Sequence, residues 1–121
     1  EYGRLAAHLA AAEALLRHAA QQVDALLDAR AGLDANALLE ARTAAMMEVA
    51  KAKVVATETA LEVTQDIFKL MGARSALSKL GSDRYWRDVR TLTLHDPVDY
   101  KARMVGAQAL TGAIPPIGFL S

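Results

Sequence analysis

The chain contains no cysteine, which excludes a disulfide, a thiolate metal site and a cysteine nucleophile. It has no excess of either charge. Fourteen Lys and Arg balance fourteen Asp and Glu, whereas a nucleic-acid partner requires a basic excess or stripe. Glycine-rich phosphate loops, zinc-ligand spacings and nucleophile elbows are all missing. A nucleotide cofactor therefore finds no self-sufficient binding unit in this chain. No apolar run reaches the ~18 residues of a membrane helix, and no signal-peptide pattern is present, so the expected compartment is the cytoplasm. The opening Glu1-Tyr2-Gly3 lacks an initiator methionine and runs almost at once into helix. We expect a piece of a longer polypeptide, with a processed or trimmed chain as the other reading.

What is present is helix. The 121 residues are 53% hydrophobic and 23% charged, enough for one domain with one core. Proline is absent before Pro97, so long helices are permitted over three quarters of the chain. Leu5, Leu9, Ala12, Leu16, Ala19, Val23 and Leu26 alternate at spacings of four and three, a heptad-like stripe. The next position is Arg30, a cation suited to the negative end of a helix dipole. Gly32 stops this helix, and Asp34 or Asn36 caps the next. The second helix should run from about residue 36 to Gly72, roughly 50 Å. It carries two apolar stripes: Met47, Ala50, Val54, Thr57, Leu61, Thr64, Phe68 and Met71, and Val49, Ala52, Ala56, Ala60, Val63, Ile67 and Leu70. Two stripes imply burial on two sides, with Glu48, Lys51, Glu58, Glu62, Asp66 and Lys69 mostly on what remains. Such a length in so small a domain implies packing against something outside this chain.

Residues 73–82 read as an irregular link with one helical turn near Ala76 to Lys79. Ser82 is a candidate N-cap for a short helix through Tyr85, Trp86 and Val89. Asp96-Pro97 reads as a helix start, with a capping carboxylate and proline at the first helical position. The last helix then carries Val98, Met104, Val105 and Leu110 as far as Gly112. The apolar, proline-containing tail 113–121 cannot be helical through its prolines. No strand pattern or internal repeat is present. The expected architecture is all-α, an antiparallel helical bundle forming a single domain over residues 1–121.

Functional residues concentrate between Arg84 and Lys101, where three arginines, three aspartates, one histidine and three aromatics fall together. Asp83 with Arg87, and Arg84 with Asp88, stand at i,i+4 and can pair on a helix surface. An arginine that is not so paired can grip a phosphate or carboxylate with its bidentate fork. Tyr85 and Trp86 supply contact anchors. His95 is either a hydrogen-bonding loop residue or a proton donor and acceptor. Asp96 is explained by capping alone, so a catalytic role for it needs separate support. His8 and His18 lie ten residues apart without a metal-ligating partner at i,i+4 and read as surface residues. The four methionines fall mostly at core spacings. No metal site is expected.

Arg84-Tyr-Trp-Arg-Asp-Val-Arg90, Gly72 before it and Leu94-His-Asp-Pro97 after it resemble the C-terminal helical domain of the acyl-CoA dehydrogenase superfamily. There a long helix ends in a glycine-rich turn, followed by an Arg-x-x-Arg-Asp-x-Arg/Lys helix, a loop bearing the catalytic base and a final helix. The resemblance spans nearly the whole chain and is specific from about Gly72 to Gly112. It implies a four-helix bundle whose first helix is missing here, together with the N-terminal helical and middle β domains. The dehydrogenases typically carry Tyr-Glu-Gly-Thr in the loop. This chain has His95-Asp96-Pro97-Val98, an aspartate one methylene shorter than the usual base and no Gly-Thr. The second glycine of the turn is replaced by Ala73.

The stretch from Arg90 through His95-Asp96-Pro97-Val98 to Tyr100-Lys101, then Val105-Gly106, is similar to a different branch, as is Pro115-Pro116. That branch comprises the flavin-dependent monooxygenases of this fold: dibenzothiophene monooxygenase, sulfur-acquisition oxidoreductases and the oxygenase components of two-component aromatic hydroxylases. Such proteins take reduced flavin from a reductase partner and use oxygen on a small aromatic or organosulfur substrate. The resemblance implies a flavin cofactor, FAD or reduced FMN, bound only together with the missing domains. It also implies a homotetramer with these helical domains at its core. His95 is the first candidate for the catalytic proton-handling residue and Asp96 the second. Arg84 and Arg87 are candidates for flavin or subunit contacts. Two rival readings are an acyl-CoA dehydrogenase with an unusual base and a non-enzymatic helical assembly module.

Overall fold

A computed structural model describes residues 1–112 of the chain. It contains four α-helices and, among the described residues, no strand. The helices are α1 (Tyr2–Ala29), α2 (Ala35–Met71), α3 (Asp83–His95) and α4 (Val98–Thr111). The expected tail segment, 113–121, lies outside the described residues.

Helices α1 and α2 form an antiparallel hairpin, and their side-chain pairs record the register. Arg4 meets Glu62 and Asp66, His8 meets Glu62, and His18 meets Glu48, so partners on α2 move backwards as α1 advances. The connection is tight. α1 ends at Ala29, a 3₁₀ turn covers Arg30–Gly32, and Asp34 caps α2 by accepting from the Ala37 N–H at 2.8 Å. Of the two cap candidates in the sequence, Asp34 and Asn36, it is Asp34 that caps, its carboxylate satisfying an otherwise orphaned amide.

The core follows the small residues of the stripes. Leu5, Ala12 and Ala19 of α1 are buried, as are Ala45, Met47, Ala50 and Ala52 of α2. Alanine contacts let the two backbones approach closely. Two leucines of the α1 stripe do not share this burial: Leu9 and Leu16 remain 47% and 57% exposed. They flank an open apolar groove with Ala12, Ala56, Thr59 and Ala60. On α2 both stripes are covered through their middle, while Val49, Leu70 and Met71 are exposed. Ala45, Ala52, Thr59 and Asp66 form a further buried row at heptad spacing. Asp66 is a correction, since periodicity places it toward solvent. It is buried because Arg4, at 3.2 Å, and Lys69, at 2.8 Å, both reach its Oδ2, which offsets the cost of desolvating the charge.

Gly72 closes α2 at φ 73° and ψ 177°, a region that essentially only glycine occupies. Its N–H donates to Phe68 O at 3.0 Å. The following link holds two 3₁₀ turns, Ala73–Ala76 and Ser78–Leu80, rather than the single turn expected. Ser75 is buried there and its hydroxyl donates to Gly72 O at 2.6 Å. Helices α3 and α4 then pack on α2. Val98, Met104 and Val105 are half-buried against the bundle, but Leu110 is 88% exposed and belongs to no core. Gly112 closes α4 in the left-handed region, its N–H donating to Gln108 O at 2.8 Å.

Candidate functional site

Helix α3 is longer than its motif. The spacing of Tyr85, Trp86 and Val89 marks only the first turns, but Thr91-Leu-Thr-Leu-His95 continues the helix. The threonines assist: Thr91 and Thr93 hydroxyls donate back to the carbonyls of Arg87 and Arg90, both at 2.9 Å. His95 is therefore the last residue of a helix and not a loop residue. It is exposed.

Only Val89, Thr93 and the flanking Ser82 and Asp96 turn toward the bundle. Positions 84, 88, 91 and 95 fall on another side by their four- and three-residue steps. Arg84 and His95 thus share one exposed ridge along α3. Arg84 stacks its guanidinium over the Tyr85 ring, 5.2 Å from the centroid, a cation–π contact. The expected Arg84–Asp88 pair does not form among the described residues. The expected Asp83–Arg87 pair does, at 3.0 Å. Of the two candidate arginines, Arg84 keeps its fork available and Arg87 has a carboxylate partner. Tyr85 is 58% exposed and faces mostly outward, while Trp86, at 38%, is partly covered.

Asp96 does not cap α4. Pro97 occupies the N-cap position and α4 begins at Val98, one residue later than the sequence suggests. A residue before proline is driven into extended backbone, and Asp96 has φ −135° and ψ 95°. Its carboxylate is then out of reach of the α4 amides. It turns instead toward Lys53 of α2 and Lys101 of α4, whose Nζ atoms lie 3.9 and 4.0 Å from Oδ2. These groups, with Arg42, form the polar rim of an open cleft of about 450 Å³ whose walls include Val23, Leu26, Met46 and Val49. Asp96 lines this cleft, and His95 is not among its lining residues. The two candidate proton-handling residues are adjacent in sequence but point to different surroundings. The contribution of Lys53 was missed by sequence reasoning, because no local pattern links position 53 to position 96.

A second charged group ties the start of α1 to the last third of α2. Arg4 bonds Glu1, Glu62 and Asp66, and His8 Nδ1 lies 2.6 Å from Glu62 Oε2. Hydrogen bonds from His8 and then Arg4 hold the Glu62 carboxyl below the usual carboxylate range. A hydrogen bond from Lys69 does the same for Asp66, and the same bond raises Lys69. His8 and His18 are exposed, as expected, yet each has a carboxylate partner on α2. Among the described residues no cluster could hold a metal ion, and no helix is long and apolar enough to cross a membrane.

Arg84 and His95 stand eleven residues apart on the same exposed side of α3. An exposed imidazole and an exposed guanidinium can meet polar ring atoms or a phosphate. The cleft lined by Asp96 and the groove flanked by Leu9 and Leu16 are both open.

Residues 1–100 match the family model for the acyl-CoA dehydrogenase C-terminal domain. The chain is 42% identical over 120 residues to dibenzothiophene monooxygenase of Mycolicibacterium goodii and 35% identical to a probable FMNH2-dependent monooxygenase, SfnC, of Pseudomonas putida. It spans 99% of itself in both matches but only 28% and 29% of those proteins. Among solved structures it resembles FMN-bound TdsC of Paenibacillus sp. A11-2, with a TM-score of 0.87 and 44% identity over 99% of this chain and 29% of that one. Methanesulfinate monooxygenase MsuC of Pseudomonas fluorescens gives a TM-score of 0.89 at 36% identity, over 99% of this chain and 30% of that one.

Proposed function

The chain belongs to the acyl-CoA dehydrogenase C-terminal domain family, and from that premise we propose that it is the helical portion of a reduced-flavin-dependent monooxygenase. The substrate class is a small aromatic or organosulfur compound. The observation that carries this reading is the match, at 44% identity and over 99% of the chain, to a structure with FMN bound. The relatives named for this chemistry extend well beyond the segment that matches here, so the chain acts with further domains and not alone.

When bound, the reduced flavin activates oxygen for transfer to the substrate. His95 ends α3 on an exposed ridge, where its imidazole is the proton donor and acceptor for that centre. Arg84, on the same ridge and free of a carboxylate partner among the described residues, binds an anionic group of the cofactor through its fork. Tyr85 and Trp86 are contact anchors for a neighbouring domain or subunit. Asp96 is a poor substitute for the dehydrogenase base, because it is one methylene short and already faces two ammonium groups. This favours oxygenation over acyl-thioester oxidation. A flavin reductase supplies the reduced cofactor. The apolar Leu9 and Leu16 groove and the exposed leucines of α2 are surfaces that a homotetramer covers.

The test is turnover by the full-length protein with chemically reduced FMN, isotopically heavy O2 and a panel containing dibenzothiophene, indole and methanesulfinate. Incorporation of one heavy oxygen atom into a product supports the reading. Reduction of the bound flavin by acyl-CoA thioesters, without oxygen incorporation, supports the dehydrogenase instead.

A further inference from the structure

Two lysines from different helices converge on the carboxylate next to His95. Lys53 belongs to the long hairpin helix α2 and Lys101 to the first turn of α4, and both face Asp96 Oδ2. The Lys101 side chain is 12% exposed and that of Lys53 31%, while the Asp96 side chain is 46% exposed, so the ion pairs are sheltered on the lysine side and open on the carboxylate side. Asp96 is the hinge between two helices: it terminates α3 and precedes the proline that starts α4. That junction is otherwise lightly held. α4 has no side-chain cap, and its first backbone bond, Tyr100 N–H to Pro97 O, is long at 3.3 Å.

We propose that Lys53 and Lys101 are positioning residues that clamp Asp96 to the hairpin and thereby fix the backbone from which His95 projects. The inference rests on the role given to His95 above. Its physical basis is that neighbouring side chains leave the end of a helix in different directions. The carboxylate is drawn inward to the cleft while the imidazole stays on the outer ridge, so the clamp orients His95 without touching it. Lys53 is the more informative of the two, because it joins the α3–α4 junction to a helix distant in sequence. Arg42 lines the same cleft but is not among the ion-pair partners of Asp96. Orientation matters at such a centre, since a misplacement of ~1 Å can cost ~100-fold in rate.

The experiment uses the full-length protein with Lys53→Met, Lys53→Arg, His95→Gln and the Lys53→Met/His95→Gln pair. Hydrogen–deuterium exchange is read over residues 94–101, together with the rate at which the reduced-FMN complex reacts with oxygen. Lys53→Met should speed junction exchange about tenfold, with α1 unchanged and Lys53→Arg restoring protection. It should also slow the oxygen reaction, and the double variant should be no slower than His95→Gln alone, because both changes act through one imidazole. Unchanged junction exchange in Lys53→Met overturns the clamp. Faster exchange with additive rate effects, or with no rate effect, overturns the positioning role and leaves a purely structural pair. A His95→Gln protein that reacts like the parent refutes the role of His95 itself, whatever the exchange data show.

Discussion

Met47→Ala and Leu16→Ala remove side chains of similar size from the same hairpin, and the structure separates their costs. Met47 is 1% exposed and is the largest fully buried side chain among the described residues. Many of the buried apolar residues around the hairpin are alanines, whose short side chains cannot swing into a void. The loss should therefore sit in the upper part of the range for buried methionine, about 3–5 kcal/mol. Leu16 is 57% exposed. Truncation to alanine removes three carbons worth ~0.8 kcal/mol each when buried, and less than half of that applies, giving about 1 kcal/mol. With a urea m-value of ~2 kcal/mol/M, the midpoint of unfolding should fall by about 2 M for Met47→Ala and about 0.5 M for Leu16→Ala. Circular dichroism of the 121-residue chain in urea measures both. The proposed homotetramer would cover Leu16, and in it the gap should narrow, because a covered leucine costs about 2–5 kcal/mol. Equal losses in the isolated chain would refute the division of the α1 stripe into core and open positions.

The remaining expectations concern charge and backbone. Gly72→Ala should destabilise by about 1–3 kcal/mol through φ alone, since an added Cβ would meet no neighbour; thermal melts of the two chains decide it, and no loss would contradict the assigned conformation. Trp86→Ala, at 38% exposure, should cost about 1–2 kcal/mol in the isolated chain, below the ~3–5 of a buried ring, again read from urea midpoints. Glu62 and Asp66 have lowered folded-state pKa values. Their contribution is complete at neutral pH and is lost as pH falls through and below the ordinary carboxylate range. Lys69 is raised, so its contribution persists through neutral pH and is lost only as pH climbs past the ordinary lysine range. Urea midpoints between about pH 7 and pH 3 should fall less steeply in Glu62→Gln than in the parent, and parallel acid limbs would contradict the pairing.

Helix identity and order were legible because alanine-rich periodicity, Asp34, Gly72 and Gly112 all act locally. The α2 helix starts at Ala35 and ends at Met71, within a residue of what the stripes and caps imply. The errors come from long-range contacts and from one steric effect. Asp66 looks solvent-facing until Arg4, sixty-two residues earlier, is seen beside it. Asp96 resembles a cap because Asp-Pro is a cap signature, but proline forces the preceding residue to extend, and its carboxylate faces the remote Lys53 and the nearby Lys101. His95 reads as a loop residue because it directly precedes the Asp96-Pro97 helix-start signal, whereas the Thr91 and Thr93 hydroxyls bond back along α3 and the helix runs on to His95. The motif residues Arg84, Arg87 and His95 were identifiable from sequence. The pairing of Arg87 with Asp83 follows from their i,i+4 spacing, whereas the stacking of Arg84 on Tyr85 and the exposed helical position of His95 do not show in the sequence.

The most direct test of the central claim is stopped-flow absorbance of the full-length protein, mixing its reduced-FMN complex with oxygen. A flavin monooxygenase in which His95 handles the proton should show a resolved phase before the oxidised flavin spectrum appears, with the lifetime of that phase altered in His95→Gln. Direct reoxidation in a single step, identical in parent and variant, would contradict both the activity and the residue assigned to it.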